Sequence, residues 1–69
     1  MNKNLKLIAE RARGSVPSGL TTDQWIEYYN QSFAELIVNE CAAQCEVAGD
    51  FVLAEQMRQW FGVGVHNES

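Results

Sequence analysis

A chain of 69 residues, 46% hydrophobic and 20% charged with a formal net charge of −4, has room for one small domain, and its charge opposes direct binding to nucleic acid. A domain of this size buries only about 60% of the surface of its unfolded chain, and its core supplies no more than about 3 to 5 kcal/mol, so a disulfide, a metal or a second copy is expected to supplement it. Cys41 and Cys45 sit in a helical pattern where a bridge would strain the backbone, and Cys-x3-Cys with the lone His66 in the tail is not a zinc spacing, which leaves self-association and no metal or cofactor.

The N-terminal MNKNLKLIAERARG has a brief apolar patch interrupted by charge, so no cleavable signal peptide is expected, and no apolar run approaches the roughly 20 residues that span a bilayer. The expectation is a reducing cytoplasm. In chain order, the first predicted helix covers about residues 2–13, with Leu5, Ile8, Ala9 and Ala12 at helical spacing and Leu7 beside them. Gly14 is expected to end it, and GSVPSG (14–19) reads as a turn-rich connection.

The next helix has a full start signal. Thr21 serves as N-cap, Gln24 as its capping-box partner, and Leu20 against Trp25 as a hydrophobic staple. Ile26, Tyr29, Phe33, Leu36, Ile37 and Ala48 fall in one sector flanked by Trp25, Cys41 and Val47, whereas Gln31, Glu35, Asn39, Ala42 and Glu46 fall opposite, on the side assigned to solvent. Both cysteines are expected in the core. Gly49 is the predicted stop and Asp50 the N-cap of a third helix, giving spans of about 22–48 and 51–61. The third helix presents Leu53, Met57, Trp60 and Phe61 as its apolar stripe, Gly62 stops it, and residues 62–69 form a tail. The predicted fold is all-α: a short N-terminal helix, then a long and a shorter helix paired as an antiparallel hairpin, in one domain that oligomerises.

Charge is segregated. Lys3, Lys6, Arg11 and Arg13 lie in the first helix, while residues 14–57 hold seven acids and no Lys or Arg. The first helix is therefore expected to lie on the acidic second one, in its own chain or from a neighbour. Within the apolar sector, Glu40 and Gln44 come within about 20° of Phe33. Three readings stay open for these two polar residues. The stripe outruns its partner and meets water there; or Glu40 is covered and paired with Arg11, Arg13 or Arg58; or it is a ligand-binding carboxylate.

The segments MNKNLKLIAERA, FAELIVNECA and MRQWFGV, in that order, resemble a family of small uncharacterised proteins encoded by tailed bacteriophages, whose shared features are a central FAELIVxEC and a C-terminal (H/W)FGV. The chain departs from the family pattern at Asn39, where a basic residue is common, at Trp60, where His is common, and over residues 14–32. The resemblance implies an accessory protein made in the host cell cytoplasm and carries no catalytic residue with it.

Enzyme chemistry is not expected, because the only histidine lies in the tail and leaves Cys41 and Cys45 without an activating base. Gly62-Val63-Gly64 follows a helix, not a strand, and so reads as a helix stop and not a phosphate loop. Two functions compete. The first is a non-enzymatic protein that binds and modulates or inhibits a host protein through Trp25, Tyr28 and Glu35, since aromatic clusters are typical anchors. The alternative is an oligomeric sponge that sequesters a small anionic or nucleotide signal of host defence with Lys6, Arg11 and Arg13.

Overall fold

Local capping rules set the boundaries of this chain. The computed structural model describes residues 1–63 and contains α1 (Lys3–Gly14), α2 (Thr22–Val47) and α3 (Phe51–Phe61), with no strand among the described residues. The all-α class and the three spans agree with the sequence reading to within a residue or two. Residues 64–69 of the expected tail, His66 and Gly64 included, lie outside the described residues.

Each start has a side-chain cap. Asn2 Oδ1 accepts from the backbone N–H groups of Asn4 at 2.7 Å and Leu5 at 3.3 Å, so Asn2 precedes the first helix as its cap and is not its first residue. At α2 the capping box forms in both directions: the Gln24 N–H donates to Thr21 Oγ1 at 3.2 Å, and the Thr21 N–H donates to Gln24 Oε1 at 3.0 Å. Asp50 Oδ1 takes the Leu53 N–H at 3.0 Å and opens α3.

The stops differ in kind. Gly49 adopts φ +89°, and behind it the Asp50 N–H reaches the Cys45 carbonyl at 2.8 Å while the Gly49 N–H reaches that of Glu46 at 2.9 Å. This pattern is a Schellman motif, and only glycine takes such a φ without strain. Gly62 repeats it at φ +69°, with the Val63 N–H on the Arg58 carbonyl at 2.8 Å. Gly62 and Val63 are therefore part of the ordered helix end and not tail, and Val63 is buried. Gly14, in contrast, stays helical. There the Ser15 N–H bonds the carbonyls of Arg11 and Ala12, and the Ser15 hydroxyl donates to the Ala12 carbonyl at 2.7 Å. The expected glycine stop is replaced by a serine that satisfies the last carbonyl itself.

The chain divides into two compact units, Met1–Leu36 and Ile37–Ser69, with α2 continuing through both. In the first unit, Ile8, Ala9 and Ala12 of α1 are buried as their spacing implies. On α2, Tyr29, Phe33 and Leu36 are half-buried, and Ser15 Oγ bonds Ser32 Oγ at 3.2 Å to tie the end of α1 to α2.

In the second unit α3 runs back antiparallel along α2, which confirms the hairpin. Cys45 Sγ lies 3.7 Å from Met57 Sδ, and Arg58 reaches both Asn39 and Glu46. The contact face follows the stripe pattern only in part: Met57, Leu36 and Ile37 are half-buried as expected, and the rest departs from it. Ala42 and Ala54 are fully buried, while Trp60 is 84% exposed and Phe61 and Leu53 are also exposed. Helices that meet through one-carbon side chains can lie close, and that spacing leaves no room between them for an indole or a phenyl ring. On α2 the expected apolar positions Ile26, Cys41, Val47 and Ala48 are exposed, and Ala42, assigned to the solvent side, is inside.

Two expected outcomes follow from this packing. Thr21→Ala removes one arm of the capping box and should cost about 1 kcal/mol in denaturant unfolding. Ala42→Leu forces a larger side chain into a filled position and should cost about 1 to 3 kcal/mol in the same measurement, against no loss from Cys41→Leu on the exposed side.

Candidate functional site

Helical periodicity aligns Trp25, Tyr29 and Phe33 at successive i, i+4 positions, and their rings stack as a ladder. Trp25 and Tyr29 have centroids 5.3 Å apart with planes at 9°, and Tyr29 and Phe33 are 6.0 Å apart at 7°. Such offset stacking gains more than the buried area alone and holds each ring in one rotamer. Trp25 is thereby a braced residue at the end of the ladder and remains about a third exposed.

Tyr28 stands outside the ladder and is exposed. It shares a shallow cleft of about 130 Å³ with Gln31, Ser32 and Glu35, residues three to seven positions further along α2. Gln31 Nε2 donates to Glu35 Oε2 at 3.0 Å, which ties the carboxylate to another residue lining the cleft. Of the expected anchors, Tyr28 and Glu35 therefore come together in one cleft, and Trp25 lies beside them one turn earlier without lining it. The cleft pairs a ring with a negative charge. It suits a partner surface that offers an apolar group next to a cation or hydrogen-bond donor.

The basic residues of α1 are only partly assembled. Lys6 and Arg13 line a cleft of about 380 Å³ with Met1, Ala9 and Glu10, and Arg11 is not among its lining residues. The carboxylate of Glu10 between the two cations works against an anion at this place.

Glu40 and Gln44 are exposed. Glu40 has no salt bridge with Arg11, Arg13 or Arg58 among the described residues, so it is not paired with any of them within its own chain, and the stripe is exposed at that level. The arginine in question takes another acid. Arg58 Nη1 donates to Glu46 Oε2 at 2.7 Å, and its Nε donates to Asn39 Oδ1 at 3.2 Å. The hydrogen bond to Glu46 raises the guanidinium pKa above its ordinary value, partial burial opposes this, and the charges of Glu46 and Glu55 add to the rise. A raised basic pKa contributes stability at every pH below its ordinary value and loses it only in strong alkali, so Arg58 holds this node charged throughout the neutral range. The node was missed because Asn39 and Glu46 fall opposite the large apolar residues. The available signal was Arg58 itself, the only Lys or Arg beyond residue 13.

Cys41 is exposed and Cys45 half-buried against Met57, so only the second cysteine fits the expected core role. Among the described residues no group of three or more His, Cys, Asp or Glu is placed to share a metal ion.

The two acids should separate cleanly on mutation. Glu40→Gln and Glu40→Ala are both expected to shift stability by less than about 0.5 kcal/mol, as exposed substitutions do. Glu46→Ala, which strips Arg58 of its carboxylate, should lower the melting temperature more than either, as read by circular dichroism.

No family model matches the chain, and neither the curated proteins nor the solved structures give a match.

Proposed function

We propose that the protein is a non-enzymatic accessory factor, encoded by a bacteriophage and working in the host cell cytoplasm, that binds and modulates or inhibits a host protein. The observation that carries this reading is the Tyr28 cleft: an exposed phenol and a fixed carboxylate on one face of a helix, next to a stacked Trp25. Rigid aromatic groups lose little conformational freedom on binding, which is why they dominate binding energy at interfaces. No described helix is long and apolar enough to cross a membrane, in keeping with action away from the bilayer.

The sponge reading is supported by Lys6 and Arg13 sharing a cleft and opposed by Glu10 within it. A ligand held only by the folded state must raise the melting temperature, by an amount equivalent to about 2.7 kcal/mol at a hundred times its Kd. Screening cyclic and linear nucleotides by thermal shift therefore separates the two readings.

For the leading reading, the immobilised protein should retain a discrete host protein from lysate. The Tyr28→Ala variant should bind that protein on the order of thirtyfold more weakly, the equivalent of a hot-spot residue of about 2 kcal/mol, with unchanged helicity. Recovery of the bait alone, or equal retention by wild type and variant, would refute the assignment.

A further inference from the structure

Among the described residues the sole ion pair is Arg58–Glu46. The charge separation of the sequence is thus left without ion-pair compensation among the described residues: Lys3, Lys6, Arg11 and Arg13 on α1 and Asp23 and Glu27 on the first turns of α2 are all exposed. Each charged face also borders an exposed apolar side chain. Leu7 is 51% exposed, with Lys3 one turn before it, Arg11 one turn after, and Glu10 three residues on as the acid of this mainly basic face. Ile26 is 47% exposed, with Asp23 three residues before it as a neighbour on the helix surface and Glu27 about 100° further round.

The two faces are complementary in sign and alike in their apolar centres, yet they do not serve each other within one copy. Leu7 lies about 140° round the helix from Ala12, the residue of α1 that is fully buried. The Lys3–Leu7–Arg11 face accordingly turns outward when the Ile8, Ala9 and Ala12 side is covered. We infer that a second copy of the chain is the occupant, seating the Lys3–Leu7–Arg11 face of its α1 on the Asp23–Ile26–Glu27 face of α2. The apolar residues lose water against each other, and the flanking cations and carboxylates set the register and exclude a like-charged approach. Because the two faces belong to different helices, every copy both offers and accepts one, so the association is a reciprocal pair or, as a head-to-tail contact, a ring or an open chain according to the rotation between copies. The inference does not depend on the host-protein reading, since Ile26 lies about 160° round α2 from Tyr28.

Light scattering at neutral pH, combined with a charge exchange, tests the assignment. The wild-type chain should run well above its monomer mass of 7.8 kDa in low salt and shift toward it in 1 M salt, where the Debye length is about 3 Å. The Lys3→Glu/Arg11→Glu double variant and the Glu27→Lys variant should each run as monomers of wild-type helicity, and an equimolar mixture of the two should regain the higher mass. Ile26→Ser, which leaves every charge in place, should also shift the mass toward the monomer and serves if a charge variant loses helicity. A wild-type monomer in low salt, charge variants that keep the wild-type mass, or a mixture that stays monomeric would each overturn the assignment.

Discussion

The structure rests on helices that bury small side chains. Ala12, Ala42 and Ala54 have no exposed surface, and no large side chain among the described residues is fully buried. Alanine has the highest helix propensity and loses no rotamer freedom on burial, so it costs little to place in such a position. It also returns little, because a single methyl group removes only a small apolar area from water. The chain accordingly keeps much of its apolar surface outside, with Trp60 and Val47 each 84% exposed.

With so thin an interior, directional contacts carry much of the specification. The Schellman turn at Gly49 and the cap at Asp50 reverse the chain within two residues, and Arg58 then reaches Asn39 and Glu46 across the hairpin. Those three polar groups can meet only in one register of α3 on α2. A slide of one helical turn would move the guanidinium about 5.4 Å from its carboxylate and leave the alanines facing larger neighbours. The polar node therefore complements what the alanine contacts leave loose.

Helix ends were legible in the sequence because capping is chemistry between near neighbours. Thr21 with Gln24, Asp50 and Gly49 can each be recognised without knowing what the helix packs against. Gly14 misled for the same local reason, since a nearby serine satisfies a last-turn carbonyl that a left-handed glycine cap would otherwise have helped to satisfy. The buried face of α2 was less legible in the second half of the helix. Periodicity weights a position by the size of its apolar side chain, and that weighting placed the centre near Phe33, with Ala42 on the far side. When helices meet through alanine, the small residue is the inner one and the large ones line the margin or face out. Of the site residues, the link between Tyr28 and Glu35 follows from their separation of seven on one helix, whereas the stacking of Trp25 on Tyr29 and the divorce of Arg11 from Lys6 and Arg13 depend on rotamers and helix rotation that spacing alone does not set.

Exposed apolar side chains on a small domain are ordinary when scattered, and informative when they sit amid charge of one sign. Leu7, between Lys3 and Arg11 with Glu10 also beside it, and Ile26, next to Asp23, lie close to charge that is mostly of one sign. A lone greasy patch would invite indiscriminate association, whereas one bordered mainly by cations favours a surface that brings carboxylates, and the reverse holds for one bordered by carboxylates. The segregation of basic residues into α1 and acidic residues into α2 thus has a physical use beyond solubility. In the inferred pairing it restricts what can cover the residues that lie outside an alanine-lined interior, and the Tyr28 cleft stands on another side of α2 from that contact.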